Sequence, residues 1–189
     1  TAQTLPSDQY EIIIINDRSE DRTKEIIKEN SLLHKNIRTT DITEAPVNIS
    51  PKKNALSKGI EISEGEIVVF TDADCTFGAK WLEEILKHFT PETGLVQGIT
   101  TYRHREEINP SLLIFQSVDF ISHGIISCAS FGVNFPINSN ANNFAFRKEV
   151  YNSLDGFETI KDVVSGDDDL LLQKIWRKGK WGISYMKGA

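Results

Sequence analysis

Cysteine is scarce in this chain. Cys75 and Cys128 are the two thiols among 189 residues. Two thiols build no disulfide framework, and their scarcity fits a reducing compartment. Positive charge is also in short supply. The chain has 21 Lys and Arg against 27 Asp and Glu, a net charge of −6. That balance argues against a nucleic-acid-binding surface. An anionic ligand would need a local basic group or a bridging cation. No uninterrupted run of 18 or more apolar residues occurs, so no continuous membrane span is read from the sequence. The residues show no signal-peptide pattern, no repeat and no low-complexity tract. The four histidines, His34, His88, His104 and His123, lack metal-ligand spacing and read as surface residues. Neither Ser nor Cys stands in a recognisable nucleophile elbow.

What is present is an ordinary globular composition, 39% hydrophobic and 25% charged, in a length that suits one domain with a real core. Within it stand two acidic clusters. Asp72-Ala73-Asp74 follows the apolar run Ile67 to Phe70, and Asp167-Asp168-Asp169 precedes Leu170 to Leu172. Adjacent carboxylates repel one another unless a cation or hydrogen-bond donors offset the repulsion. Aspartates at the end of a buried strand are therefore metal-site candidates.

The pattern predicts strands at Glu11 to Ile15, Asn36 to Thr40 and Glu66 to Thr71, with helices at Glu20 to Leu33 and Ser50 to Ser63 between them. The first helix should turn Ile26, Ile27 and Leu33 inward. Ser50-Pro51 reads as an N-cap followed by proline at the first helical position. Alternating strands and helices argue for a mostly parallel sheet flanked by helices. Ligands then bind beyond the carboxyl ends of the strands, where Asp17 and Asp72 share an edge. Further on, the pattern predicts a helix at Trp81 to Phe89, a strand at Leu95 to Tyr102 and a helix from Pro110 to about Cys128. A loop follows over Phe131 to Asn143, then a strand at Phe144 to Phe146 and a short helix at Lys148 to Leu154. The last elements are a helix at Asp169 to Arg177, with Leu171, Leu172 and Ile175 inward, and a strand at Trp181 to Met186. Trp176 and Trp181 read as core residues.

Each cluster also has a plain structural reading. Asp72-X-Asp74 can grip a divalent cation while a diphosphate supplies other ligands, as Mg²⁺ prefers, or it can be a turn. Asp17 can accept from a base N–H, or the Ser19-Glu20-Asp21 stretch can cap a helix. Lys52 and Lys53 oppose the dipole of their helix unless a phosphate sits there. Asp167, Asp168 and Asp169 suit a helix N-terminus, yet three exceed what capping needs. A carboxylate there can serve as a base that deprotonates a hydroxyl.

Taken together, the motifs resemble the family 2 inverting glycosyltransferases. Asn16-Asp17-Arg18-Ser19-Glu20-Asp21-Arg22-Thr23 is similar to that family's N-D-x-S-x-D-x-T segment. Lys53-Asn54-Ala55-Leu56 followed by Gly59 is similar to K-x-x-A-L-x-x-G, with one residue fewer after the lysine, and Gly65 to Asp74 to G-E-x-x-x-x-x-D-A-D, the DXD motif. Asn143 to Lys148 resembles N-x-A-F-R-K, Asp155-Gly156-Phe157 resembles G-G-F, and Asp167-Asp168-X-X-Leu171 resembles E-D-x-x-L. The order and intervals agree over nearly the whole chain.

The resemblance implies a GT-A fold, with a nucleotide-sugar-binding half at 1–101 and an acceptor-binding half at 102–189. It implies transfer of a sugar from a UDP- or GDP-sugar to an acceptor hydroxyl, with inversion. By it, Asp17, Ser19, Lys53, Asp72 and Asp74 bind the nucleotide-sugar, and Asp72 and Asp74 hold Mg²⁺ or Mn²⁺. Asp168, or its neighbour Asp167, is the general base. Asn143, Arg147 and Glu158 border the acceptor, a saccharide or a lipid-linked molecule. No nucleic-acid partner is implied. The chain departs from the family in starting at Thr1, after the usual first strand, in stopping before a Q-x-x-R-W motif, and in having Ala141-Asn142 where Gly-Ala is common. A truncated catalytic domain is therefore expected. The full-length protein would be cytoplasmic, at the cytoplasmic face of a membrane through segments outside these residues, in envelope polysaccharide or glycolipid synthesis. Two other readings stay open. In one, the chain is a haloacid dehalogenase-like phosphatase with Asp72 as nucleophile. In the other, it is a nucleotide-binding module without turnover.

Overall fold

The computed structural model describes residues 3–102 and 110–187. The expected surface position of His104 lies outside them. Four successive isoleucines, stiff at χ1 and suited to a pleated surface, form β1 (Ile12–Asp17). It pairs in parallel with β2 (Ile37–Ile42), and α1 (Thr23–Leu33) makes the crossover. Of the three residues expected to face inward from α1, only Ile27 is buried, while Ile26 and Leu33 are exposed. Leu33 is the last residue of α1.

Next come α2 (Pro51–Ile62), β3 (Ile67–Phe70), α3 (Trp81–Lys87) and β4 (Thr93–Gly98). Then follow α4 (Pro110–Gly132), a short 3-10 turn Ala141–Asn143, β5 (Phe144–Arg147) and α5 (Lys148–Ser153). A second 3-10 turn Glu158–Ile160, α6 (Asp167–Lys178) and β6 (Gly182–Met186) complete the order. The helix expected to end near Cys128 runs one turn longer, and the loop is correspondingly shorter.

β3, β5, β4 and β6 form one sheet in that spatial order. β5 runs antiparallel to both neighbours, and β4 and β6 are parallel. The single parallel sheet expected from the alternation is therefore divided. Among the described residues no ladder joins β1 to β3. Side chains tie the two sheets instead. Glu11 Oε1 accepts from the backbone N–H of Glu64 (2.5 Å) and of Gly65 (3.2 Å). Arg38 Nη1 bridges Glu11 and Glu64, at 2.9 Å to each. Those hydrogen bonds hold the Glu11 carboxyl below its ordinary range against the opposing effect of partial burial. They also bring the start of β1 close to the segment that leads into β3.

The core lies between the four-stranded sheet and its helices. Leu95, Phe144, Phe146, Leu171, Leu172 and Ile175 are fully buried there, and Phe70 meets Phe146 edge-on at 5.1 Å. Trp181 packs partly against this core. Trp176 does not. Its indole N–H donates to Asn134 O at 3.0 Å and its ring meets Phe135 at 5.4 Å, at the surface.

Candidate active site

Strand directions collect the acidic clusters at one edge. β3 ends at Phe70, which pairs with Phe144 at the start of antiparallel β5. Asp72 and Asp74, just past β3, therefore stand on the same edge as Asn140 to Asn143, just before β5. The carboxyl end of β4, at Gly98, lies there too, because Gln97 pairs with Phe144. α6 reaches the same edge from above. Asp169 Oδ1 accepts from Ser139 N (2.6 Å) and Ser139 Oγ (3.2 Å). Asp17 ends β1, in the separate β1–β2 pair.

The Asp72-Ala73-Asp74 turn is partly open. Cys75 N donates to Asp72 O at 3.2 Å, which folds the turn back on itself. Asp74 is exposed and Asp72 half-buried. No three His, Cys, Asp or Glu converge among the described residues. Two carboxylates fit a cation that takes its remaining ligands from phosphate oxygens and water, as Mg²⁺ commonly does. Asp17 is paired with its neighbour: Arg18 Nε donates to Asp17 Oδ1 at 2.7 Å, with Arg18 at φ 57°. Ser19 is exposed and its N–H donates to Asn16 Oδ1. It does not cap α1. Arg22 occupies the cap position without a side-chain hydrogen bond, and Asp21, one residue earlier, accepts from Thr23 N at 3.0 Å.

The three later aspartates have different surroundings. Gly166 adopts a left-handed conformation (φ 74°) and turns the chain into α6. Asp167 is buried, and Lys52 Nζ approaches its Oδ2 to 3.2 Å without hydrogen-bond alignment. Asp168 Oδ1 accepts from Asp169 N at 2.8 Å, and no other partner engages this side chain among the described residues. Burial pushes the Asp169 carboxyl above its ordinary range. The Ser139 N–H pulls it back, and the neighbouring Asp168 and Asp167 charges add to the rise. Acids in the first turn and Arg177 and Lys178 in the last turn of α6 both suit its dipole.

α2 positions this cluster. The Ser50 hydroxyl, expected to cap its own helix, instead donates to Val164 O at 2.9 Å, and Ser50 N donates to Lys161 O at 3.0 Å. Lys53 is fully buried. Its ammonium donates to Val163 O and, at 3.0 Å, to Ser165 O. Burial lowers its pKa, opposed by Asp167 and Asp168. Lys53, which the resemblance places at the nucleotide-sugar, thus fastens the segment leading into Asp167.

The remaining three expected site residues separate. Asn143 is buried at the edge. It accepts from Trp81 Nε1 (3.0 Å) and donates to Ile99 O (3.0 Å). Arg147 lies at the opposite end of the sheet, donating to Thr93 O and Thr90 O at 2.9 Å each and lying over the Phe89 ring. Glu158 is exposed and pairs with Lys161 at 3.0 Å.

Beside Ser139 lies a cavity of about 310 Å³, lined in part by Gln97, Gly98, Ser127, Asn138, Asn140 and Tyr185. Gln97 fixes its wall by accepting from Asn140 N (3.1 Å) and donating to Asn140 O (3.2 Å). Asn138 Oδ1 is buried there without a hydrogen-bond partner among the described residues. Tyr185 donates to Gly124 O, and burial pushes its pKa up to about 12, so the phenol keeps its proton. Sequence reasoning missed these lining residues. The one signal was Gln97, a lone amide within the apolar strand Leu95 to Gly98.

The sequence model described as glycosyl transferase family 2 matches residues 1–118. The chain belongs to this family. A family 2 assignment over Asp72 sets aside the phosphatase reading of that residue. Among curated relatives, glycosyltransferase AglE of Haloferax volcanii is 35% identical over 83 residues, 44% of this chain and 26% of that protein. The probable glycosyltransferase YdaM of Bacillus subtilis is 39% identical over 71 residues, 38% of this chain and 17% of that protein. These alignments span about a quarter or less of the relatives' length. Among solved structures, mannosyltransferase PcManGT from Pyrobaculum calidifontis, in complex with GDP-Man and Mn²⁺, superposes with a TM-score of 0.74 at 22% identity, covering 98% of this chain and 48% of that one. S. aureus TarS 1-349, in complex with UDP, superposes at 0.66 with 16% identity, covering 98% and 51%. The fold of this family 2 member is accordingly GT-A, and the acidic residues of α6 lie beyond the matched 1–118 segment.

Proposed function

We propose that the chain is the catalytic part of an inverting glycosyltransferase, moving a sugar from a nucleotide-diphosphate sugar to an acceptor hydroxyl. The observation that carries this reading is the meeting of two acidic clusters and a polar cavity at one sheet edge. Asp17 faces the donor base, and Asp72 and Asp74 face the diphosphate. A Mg²⁺ or Mn²⁺ held by Asp72 and Asp74, when bound, supplies positive charge beside the leaving diphosphate. The relative with GDP-Man and Mn²⁺ and the relative with UDP support a nucleotide-linked donor of this kind.

Asp168 is the base. Asp167 is buried beside Lys52 and Asp169 is committed to Ser139, which leaves Asp168, only half-buried, as the more accessible carboxylate. It takes the acceptor hydroxyl proton as that oxygen bonds to the anomeric carbon. The carbon–oxygen bond to the diphosphate breaks with its electron pair leaving on the diphosphate. Attack from the face opposite the nucleotide inverts the configuration. The cavity beside Ser139 holds the acceptor, with Asn138 Oδ1 available to a donor group on it.

Asp168→Asn tests this. Release of nucleoside diphosphate should fall by about 10²–10⁴-fold, while calorimetric binding of GDP or UDP with Mn²⁺ should stay within about twofold. Undiminished release in Asp168→Asn would overturn the base assignment. If wild type binds nucleotide but never releases product, the non-catalytic module is the better reading.

A further inference from the structure

α4 is assembled inside out. Its 23 residues carry a single formal charge, Asp119. The face turned to the protein is largely small and polar. Ser127 donates to Asn138 O, Ser130 donates to Ser127 O, and Gly124 lies against Ile99 and the Tyr185 hydroxyl. The outward side carries an apolar stripe beside the exposed Asp119 and His123. Ile114 is 64% exposed, Phe115 73%, Val118 63% and Ile125 61%. The spacing 114, 118, 121, 125 is one continuous helical stripe. By length and composition the Ser111–Gly132 stretch would suffice to cross a membrane, although the sequence offers no uninterrupted apolar run. Its inner contacts with Ile99, Tyr185 and Asn138 fasten it to the domain, so it lies along the surface.

The stripe does not stop at the helix end. Val133, Phe135 and Ile137 continue it, each exposed. Phe135 meets Trp176 edge-on, and beside Trp176 stand Arg177, Lys178 and Lys180, all exposed. In a chain of net charge −6, three cations in this short stretch form a local basic rim. Apolar and aromatic side chains bordered by Lys and Arg match a bilayer surface, apolar inward and anionic at the headgroups.

We propose that α4 and the 133–137 loop dock the domain on an anionic lipid bilayer, with the Arg177–Lys180 rim against the headgroups. This contact is made by the chain's own residues rather than by segments beyond it. α4 also lines the cavity through Gly124 and Ser127. Docking would therefore hold that cavity at the membrane surface, where an acceptor with a hydrocarbon tail resides.

Co-sedimentation with phosphatidylcholine vesicles, with and without phosphatidylglycerol, tests it using the whole chain. The chain should pellet with the mixed vesicles and about tenfold less with phosphatidylcholine alone, the preference fading as salt rises. Ile114→Gln/Val118→Gln/Ile125→Gln should lose about tenfold or more in vesicle affinity with an unchanged melting temperature, since these side chains are exposed. Arg177→Glu/Lys178→Glu/Lys180→Glu should lose the anionic preference. Absence of wild-type pelleting, or equal pelleting of the triple Gln variant, overturns the proposal. So does a wild-type dimer in analytical ultracentrifugation that the Gln variant converts to monomer, which would make a second copy the occupant. None of these readouts depends on donor binding or transfer, so they stand apart from the test of Asp168.

Discussion

Asp169 of α6 accepts two hydrogen bonds from Ser139, one from its backbone and one from its hydroxyl, and this pair joins the α6 aspartates to the edge where β5 begins. Burial raises the Asp169 pKa, so the folded state binds this proton more readily than the unfolded chain does. The stability from this group is then fully present below the unfolded value of 3.8 and is lost as pH rises through the folded value. Asp169→Asn keeps an oxygen for Ser139 and removes the titration. Its melting temperature relative to wild type should therefore improve between about pH 3 and about pH 6, measured by calorimetry.

Lys53 donates to two carbonyls of the segment leading into Asp167. Lys53→Met keeps the stem and leaves those carbonyls without their donor. A loss of about 1–3 kcal/mol in urea unfolding is expected. Turnover should fall more than nucleotide affinity, because the displaced segment carries the base. A variant that loses nucleotide affinity with turnover per bound donor intact would return Lys53 to the donor site.

Asp74→Asn removes one of the two carboxylates proposed for the cation. Binding of GDP or UDP in Mn²⁺ should weaken by about tenfold, roughly 1.4 kcal/mol. In EDTA the variant and wild type should bind alike. Titration calorimetry in both conditions decides it.

Gly98 is required by a close approach. A Cβ there would lie 2.1 Å from Asn143 Nδ2 and 2.4 Å from its Cγ. Asn143 has nowhere to yield, being held by Trp81 and Ile99. Gly98→Ala should cost about 1–3 kcal/mol as an overpacked site, read as a lower melting temperature. Asn143→Ala in the same chain should recover part of it.

Much of the fold was legible because local signals agreed with one another. The isoleucine run, Ser50-Pro51 and the 3.6-residue spacing of Leu171, Leu172 and Ile175 each point to one element. Both acidic clusters were legible as well, since carboxylates have little reason to gather after a buried strand. What escaped were side-chain partners distant in sequence. Lys53 and Ser50 read as a helix start because nothing near them announces the carbonyls of 163–165 more than a hundred residues on. Arg147 sits beside a motif yet serves the far end of β4, because antiparallel β5 carries it away from the ligand edge. Trp176 was read inward by residue type, whereas its spacing on α6 sets it on the outer side.

The divided sheet leaves β1 and β2 as a strand pair of their own. β1 and β2 are linked to the rest by α2, where Gly59 lies against Ile13 and Ile15, and by the Glu11–Arg38–Glu64 cluster. No strand-to-strand hydrogen bond among the described residues has to break for them to move away from β3. Partial opening can thus release the end bearing Asp17 while the β3–β5–β4–β6 ladder, with Asp72 and the α6 aspartates, stays closed. If Asp17 meets the donor base as proposed, that contact would loosen before the one proposed for the diphosphate.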